Sequence, residues 1–290
     1  MRRLARFVAR GLVALLLTGC DLGHLVAGAI IHPLRVPVVG EPSEPYQTLS
    51  IATDDGLVLD GWLFPVRGPR GLVVLVHGKD INRQHLAHEA GRFLRLGYAV
   101  LAFDQRAHGR SQGSVTTYGA KEVGDLQKAL DVALGSPSLV SHPGLPIFLV
   151  GESLGAAVSL QTAAVEPRVR GVVAGASFAD LRTVVEERSP WFVSAQLRAE
   201  ALQAAAEEGG FRVDDLSPER AAASIKVPVL LLHGSDDTYI PMRHSLRISK
   251  ALKAPQRLLV LEGVGHVDVL LHDAVWVEIE RFIVGLTPTR

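Results

Sequence analysis

The chain has one cysteine, Cys20, in 290 residues. That excludes an intrachain disulfide and any structural zinc site built on cysteine. Aromatic residues are scarce, at 6%, so alanine, valine and leucine must fill the core, which suits helices packed closely on a sheet. Neither sign of charge is in excess, since 30 Lys and Arg balance 30 Asp and Glu. With no basic stripe in the body of the chain, a nucleic-acid partner is not expected. No internal repeat or low-complexity segment stands out. His85 and His88 share a helical face but belong to no H-E-x-x-H and have no third ligand nearby, so no metal site is expected. The amino-terminal apolar run, Gly11 to Leu17, is too short to span a bilayer alone, and extending it to Ile31 takes in Asp21 and His24.

What is present is enough apolar sequence, 48%, for one large α/β domain or two small ones. Pro33, Pro37, Pro42 and Pro45 break regular structure, so residues 20–45 read as a tether and residues 46–290 as the globular body. Thr48 to Thr53 and Leu57 to Phe64 alternate as strands around the turn signal Asp54-Asp55-Gly56. Leu72 to Val76, Tyr98 to Phe103, Ile147 to Val150, Gly171 to Ala174, Val229 to Leu232 and Arg257 to Leu261 read as strands. His85 to Leu96, Gly119 to Leu134 and Val269 to Val284 read as helices. The alternation predicts a mostly parallel sheet with helices on both faces and an antiparallel hairpin at one edge. Residues 178–224 hold no convincing strand and read as a small helical cap over the carboxyl ends of the strands, where ligands bind in such sheets. Trp191, Phe192 and Phe211 are candidates for lining a pocket there or for forming the cap's own core.

Gly151-Glu152-Ser153-Leu154-Gly155 is the most informative segment. It lies between an apolar strand and the small-residue helix that follows, which is the setting of a nucleophile elbow, a sharp turn presenting a serine hydroxyl above the sheet. A serine hydroxyl is a weak nucleophile and needs a base within about 2.6–3.2 Å, itself oriented by a third group. Leu232-His233-Gly234-Ser235-Asp236-Asp237 takes a strand into a turn with two carboxylates, and Gly263-Val264-Gly265-His266 presents a histidine after the next strand. The candidates are Ser153 as nucleophile, His266 as base and then acid, and Asp237 as orienting carboxylate, with Asp236 as its alternative.

These motifs, with Val76-His77-Gly78-Lys79, Phe103-Asp104-Gln105-Arg106-Ala107-His108-Gly109-Arg110-Ser111 and Gly234-x-x-Asp237-x-x-Ile240-Pro241, resemble the α/β-hydrolases of the serine-aminopeptidase and monoglyceride-lipase-like branch, in the chain order Ser, Asp, His. Ala107 stands where that family usually has glycine. The resemblance implies the α/β-hydrolase fold, an oxyanion hole made by the backbone N–H groups of Lys79 and Leu154, and hydrolysis of a small-molecule acyl ester or lipid with no metal or cofactor. A peptidase or acyltransferase of the same fold is the alternative, followed by a binding module that kept the fold without activity. Asp104 and Arg106 read as a loop-bracing pair, with Arg106 a candidate contact for an anionic substrate. His77 and His108 read as braces of the site loops.

At the amino terminus, Arg2, Arg3, Arg6 and Arg10 precede the apolar run, the pattern of a secretory signal. Leu17-Thr18-Gly19-Cys20 resembles the bacterial lipobox. This implies a signal peptide over residues 1–19, a lipidated Cys20, and attachment to the bacterial cell envelope. Asp21 directly after the cysteine resembles a signal for retention at the periplasmic face of the inner membrane.

Overall fold

Alternate residues of the three central strands, β3 (Leu72–Val76), β4 (Ala99–Phe103) and β5 (Ile147–Glu152), enter two separate cores. Leu72, Val74, Val76, Leu101 and Leu149 face one side, and Val73, Leu75, Val100, Phe148 and Val150 face the other. This is the period-two consequence of a strand covered on both faces. The computed structural model describes residues 19–288. The sheet is completed by the hairpin β1 (Gln47–Ala52) and β2 (Val58–Phe64), and by β6 (Val169–Gly175), β7 (Val229–Gly234) and β8 (Gln256–Leu261). The strand order is β1-β2-β4-β3-β5-β6-β7-β8, antiparallel for β1/β2 and β2/β4 and parallel elsewhere.

One face is covered by the helices Glu122–Leu134, Leu154–Ala163 and Arg243–Ala251, and the other by Ala90–Arg95 and Asp273–Leu286. The fold is that of an α/β-hydrolase. Between β6 and β7 lie the helices Leu181–Arg188, Ala195–Gly209 and Pro218–Ala222. Their starts are capped by the side chains of Asp180, Ser194 and Ser217, which accept from Thr183, Leu197 and Arg220 N–H. Such caps are worth about 0.5–2 kcal/mol each. Trp191 and Phe192 fall in the turn between the first two of these helices, 95% and 71% exposed, so they form neither a pocket lining nor a cap core. Phe211 alone of the three packs, half-buried, against the core.

The tether reading of residues 20–45 is corrected at its start. Gly19–Ile31 is a helix, with Ala27, Ile30 and Ile31 buried and Gly23 lying against Glu200 and Ala201 of the long cap helix. Its last carbonyls, which a helix leaves without internal partners, are satisfied by the body. Lys79 Nζ donates to Ala29 O (2.9 Å), Tyr118 Oη to Ile30 O (2.6 Å) and Thr116 N to Ile31 O (2.8 Å). The irregular stretch beyond is strapped down too: Leu34 N donates to Asp80 Oδ1 (2.7 Å), and the Arg35 guanidinium donates to the carbonyls of Gly109, Ser111 and Gly113. Prolines from Pro33 onward abolish periodicity, but a segment without periodicity can still dock when its backbone groups find partners. All of the signal-peptide reading of residues 1–19 except Gly19 falls outside the described residues, as does the Cys20 side chain. Among the described residues no helix is long and apolar enough to cross a membrane.

Candidate active site

The site is built where three strand ends meet. After β5, Ser153 takes φ 53° and ψ −116°, a conformation L-residues rarely adopt, and the helix Leu154–Ala163 starts at the next residue. Ser153 N donates to Gly175 O (2.8 Å) and Ser153 O accepts from Ala157 N (3.1 Å), so the turn is held from both sides. Non-glycine backbone in such a region costs about 1–3 kcal/mol and persists only where its surroundings over-determine it. The glycine two residues later is forced by packing: a Cβ on Gly155 would sit 2.0 Å from Val76 O and 2.6 Å from His77 O, at the end of the strand that leads to Lys79. Helix and strand can approach this closely only with no side chain between them.

His266 Nε2 lies 3.0 Å from Ser153 Oγ, and His266 Nδ1 lies 2.7 Å from Asp237 Oδ2. An ionised carboxylate only accepts, so the proton on the ring belongs at Nδ1, which leaves Nε2 free to accept from the serine hydroxyl. Asp237 Oδ1 accepts from Tyr239 N (2.9 Å) and Ile240 N (2.8 Å). Burial raises the Asp237 carboxyl, but its bond to His266, the imidazole charge, the Ile240 N–H and His233 outweigh it and hold the group below the usual carboxylate range. Asp236 is exposed and accepts from Ser235 Oγ, away from the ring. Of the two carboxylates left open by sequence, the structure brings Asp237 to the imidazole. The acid and base loops also touch through a glycine: a Cβ on Gly234 would lie 2.0 Å from Val264 O.

Leu154, first residue of its helix, has one of the N–H groups a helix leaves unpaired, at the positive end of the helix dipole. Among the described residues the Lys79 N–H has no protein acceptor. The Lys79 turn is braced by His77, buried and kept neutral: burial pushes its pKa well down and His108 adds to the effect. Its Nε2 accepts from Gln105 N (3.0 Å) and its Nδ1 donates to Gly78 O (2.7 Å). Arg106 does not reach the pocket. It is buried and bound to Asp125 (2.6 Å) and Asp55 (2.9 Å), while Asp104 takes Arg83 instead (2.9 Å). The Asp104–Arg106 pairing read from sequence is thus corrected, and Arg106 has no charge to spare for a substrate. Ala107 has φ 66°, the left-handed region where glycine stands in the related motif, at a cost of about 1–2 kcal/mol for a residue with a Cβ. Among the described residues no cluster of His, Cys, Asp and Glu is arranged to hold a metal ion.

Ser153, Leu154 and Lys79 open into a cavity of about 220 Å³. Val26, Ala29 and Ile30 of the amino-terminal helix form one wall, and Leu181, Val184 and Arg188 of the first cap helix form another. Sequence reasoning missed the first wall, and it missed Tyr239, whose ring stacks on His266 (centroids 4.8 Å apart, planes at 26°). An apolar run ahead of Pro33 was the one available sign of the former; nothing in the sequence signals the latter.

Fold and site together define an α/β-hydrolase. More narrowly, the chain belongs to the serine aminopeptidase S33 family, whose model matches residues 67–217. It is 30% identical over 202 residues to the uncharacterized protein YqkD of Bacillus subtilis, a match covering 67% of this chain and 64% of that protein, somewhat under two thirds of its length. It is 28% identical over 246 residues to a monoacylglycerol lipase of Mycolicibacterium smegmatis, covering 72% of this chain and 85% of the lipase. Among solved structures it resembles the Pyrococcus furiosus esterase Pf2001, with a TM-score of 0.71 at 24% identity over 89% of this chain and all of that one.

Proposed function

We propose that the protein hydrolyses carboxylic esters, with Ser153, His266 and Asp237 as its catalytic residues. The observation that carries this is the 3.0 Å and 2.7 Å relay from Ser153 through His266 to Asp237 at the floor of a largely apolar cavity. Ser153 Oγ bonds to the acyl carbon as its proton passes to His266 Nε2. The carbonyl oxygen becomes an oxyanion facing the Lys79 and Leu154 N–H groups, each such donor being worth about 2.7–4 kcal/mol in the transition state. The carbon–oxygen bond to the alcohol breaks and the alcohol takes the proton from His266. Water then repeats the sequence on the acyl-enzyme, releasing the acid and restoring Ser153.

The family description favours a second reading, a peptidase that removes amino-terminal residues. Such an enzyme has to balance the substrate's free ammonium, yet among the described residues the cavity lining contains no Asp or Glu. Ester cleavage fits this lining better. A fluorophosphonate probe should label Ser153, which a binding module without activity would not permit. We expect p-nitrophenyl butyrate to be turned over at least about 100-fold faster, in kcat/KM, than alanine p-nitroanilide. The reverse order would establish the peptidase.

We also propose that residues 1–19 are a signal peptide and that Cys20 is lipidated, anchoring the protein in the bacterial cell envelope at the periplasmic face of the inner membrane. The support is the Leu17-Thr18-Gly19-Cys20 pattern behind a basic and apolar leader. An anchor at Cys20 sits at the start of the helix that walls the cavity, which would keep the pocket close to lipid. Cys20→Ala should leave the membrane fraction or stall as the unprocessed precursor; unchanged fractionation and unchanged lipid labelling would remove the anchor from the account.

A further inference from the structure

The cavity over Ser153 has a charge pattern that ester hydrolysis alone does not call for. Lys79, Arg188 and Arg198 all line it, with no carboxylate among the described lining residues. The fully buried arginines are paired, Arg83 with Asp104 and Arg106 with Asp125 and Asp55, whereas Lys79 and Arg198 are half-buried and Arg188 is exposed. Lys79, Arg188 and Arg198 make no ion pair among the described residues.

Each of the three has donors to spare. Arg198 Nη1 donates to Val193 O (2.5 Å), but among the described residues its buried Nε has no partner. The Arg188 guanidinium lies over the Tyr239 ring, 3.0 Å from its centroid, and the other ring of that stack is His266, so the charge stands one side chain away from the base. Among the described residues Lys79 Nζ donates only to the Ala29 carbonyl, and burial lowers its pKa, with Asp80 opposing and the like charge of Arg188 adding to the effect. A buried donor left without an acceptor is costly, and charge-assisted bonds to an anion are the strong way to satisfy a guanidinium. Most of the rest of the cavity is apolar, with Val26, Ile30, Leu181 and Val184 along its walls.

We propose that the substrate is an amphiphilic carboxylic ester bearing an anionic group, phosphate or carboxylate, which binds among Arg188, Arg198 and Lys79 while its chain lies along the apolar walls. This rests on the ester-hydrolase reading and narrows it. The anionic group takes no part in bond making; it positions the ester over Ser153. Lys79 thus has two separable parts, a backbone N–H toward the oxyanion and a side chain toward the ligand's charge.

The test compares two pairs of substrates below their aggregation concentrations. 1-Decanoylglycerol against 1-decanoylglycerol 3-phosphate puts the charge on the alcohol side. p-Nitrophenyl pentanoate against p-nitrophenyl hydrogen glutarate puts it on the acyl side. The expected result is a preference of about tenfold or more in kcat/KM for the charged member of at least one pair, and the pair that shows it tells which side of the ester carries the anion. In Arg188→Gln and in Arg198→Gln that ratio should fall toward one, through KM more than kcat, with Arg188→Lys keeping part of it. The remote, exposed Arg281→Gln should keep the wild-type ratio. A ratio, unlike a rate, is insensitive to general damage to the triad. Turnover of both pairs with no preference for charge, or a preference that survives both glutamine variants, overturns the proposal. No turnover of any of the four, together with no fluorophosphonate labelling of Ser153, overturns the hydrolase reading and this proposal with it.

Discussion

Ser153→Ala is expected to lower kcat on any ester substrate by about 10⁴–10⁶-fold, while far-UV circular dichroism and thermal melting stay close to wild type. The size follows from the arrangement. The Ser153 hydroxyl is the group His266 Nε2 faces at 3.0 Å, and its removal takes away the covalent route and leaves only the oxyanion donors and binding. A second variant reads the elbow itself. Ser153 is held at φ 53° and ψ −116°, and glycine adopts such angles without a Cβ penalty. Relief of about 1–3 kcal/mol of strain outweighs the roughly 0.5–1 kcal/mol that glycine loses in chain entropy. Ser153→Gly should therefore be inactive and also more stable, melting about 2 °C higher for a domain of this size. An active alanine variant would sink the mechanism. A glycine variant that melts below wild type would show that the turn is not strained.

Asp237→Asn should cost about 10³–10⁴-fold in kcat with KM little changed. Asn presents an amide NH₂ that can donate to the ring, which favours the tautomer with its proton on the nitrogen facing Ser153 and removes the acceptor for the hydroxyl. Asp236→Asn, at an exposed position whose side chain, among the described residues, is bonded only to Ser235, should retain wild-type activity. If Asp236→Asn were the damaging change, the carboxylate would be misassigned. Stability gives a second readout of the same group. The Asp237 carboxyl is held below its usual range in the folded protein, so between the unfolded value near 3.9 and the lower folded one the unfolded chain binds more protons. The ionised group therefore contributes stability that is fully present above about pH 4 and is lost as pH falls through the folded pKa. In denaturant titrations Asp237→Asn should lose that contribution and show a flatter pH dependence below pH 4.

The sheet was largely legible along the chain because its information is local. Leu72 to Val76, read as a continuous apolar run between turn signals, is β3 with the same ends. The Asp54-Asp55-Gly56 signal stands between β1 and β2, where Gly56 N donates to Thr53 O and Thr53 N to Leu57 O. Gly155 announced the close crossing because only an absent side chain permits it. Other features were hidden because they depend on partners far away in sequence. Residues 33–45 lack periodicity, yet Arg35 binds carbonyls more than 70 positions on. Arg106 looked free for a substrate because Asp125 and Asp55 lie on other elements. Trp191 and Phe192 looked like core or pocket by hydrophobicity alone, and a turn at the tip of the cap leaves them in solvent.

The order of residues thus determined the alternation of strands and helices, the sharp turn at Ser153, and the three residue types able to work as a relay, since each is written in spacing and neighbours. Only the folded arrangement decided which of two adjacent carboxylates faces the imidazole, that the segment before Pro33 walls the cavity, and that three cations line that cavity with no ion-pair partner among the described residues. Those outcomes rest on distance and burial between residues 29 to 119 positions apart (Asp237 to His266, and Lys79 to Arg198 of the long cap helix), and separation in space is a quantity that neighbouring letters do not encode.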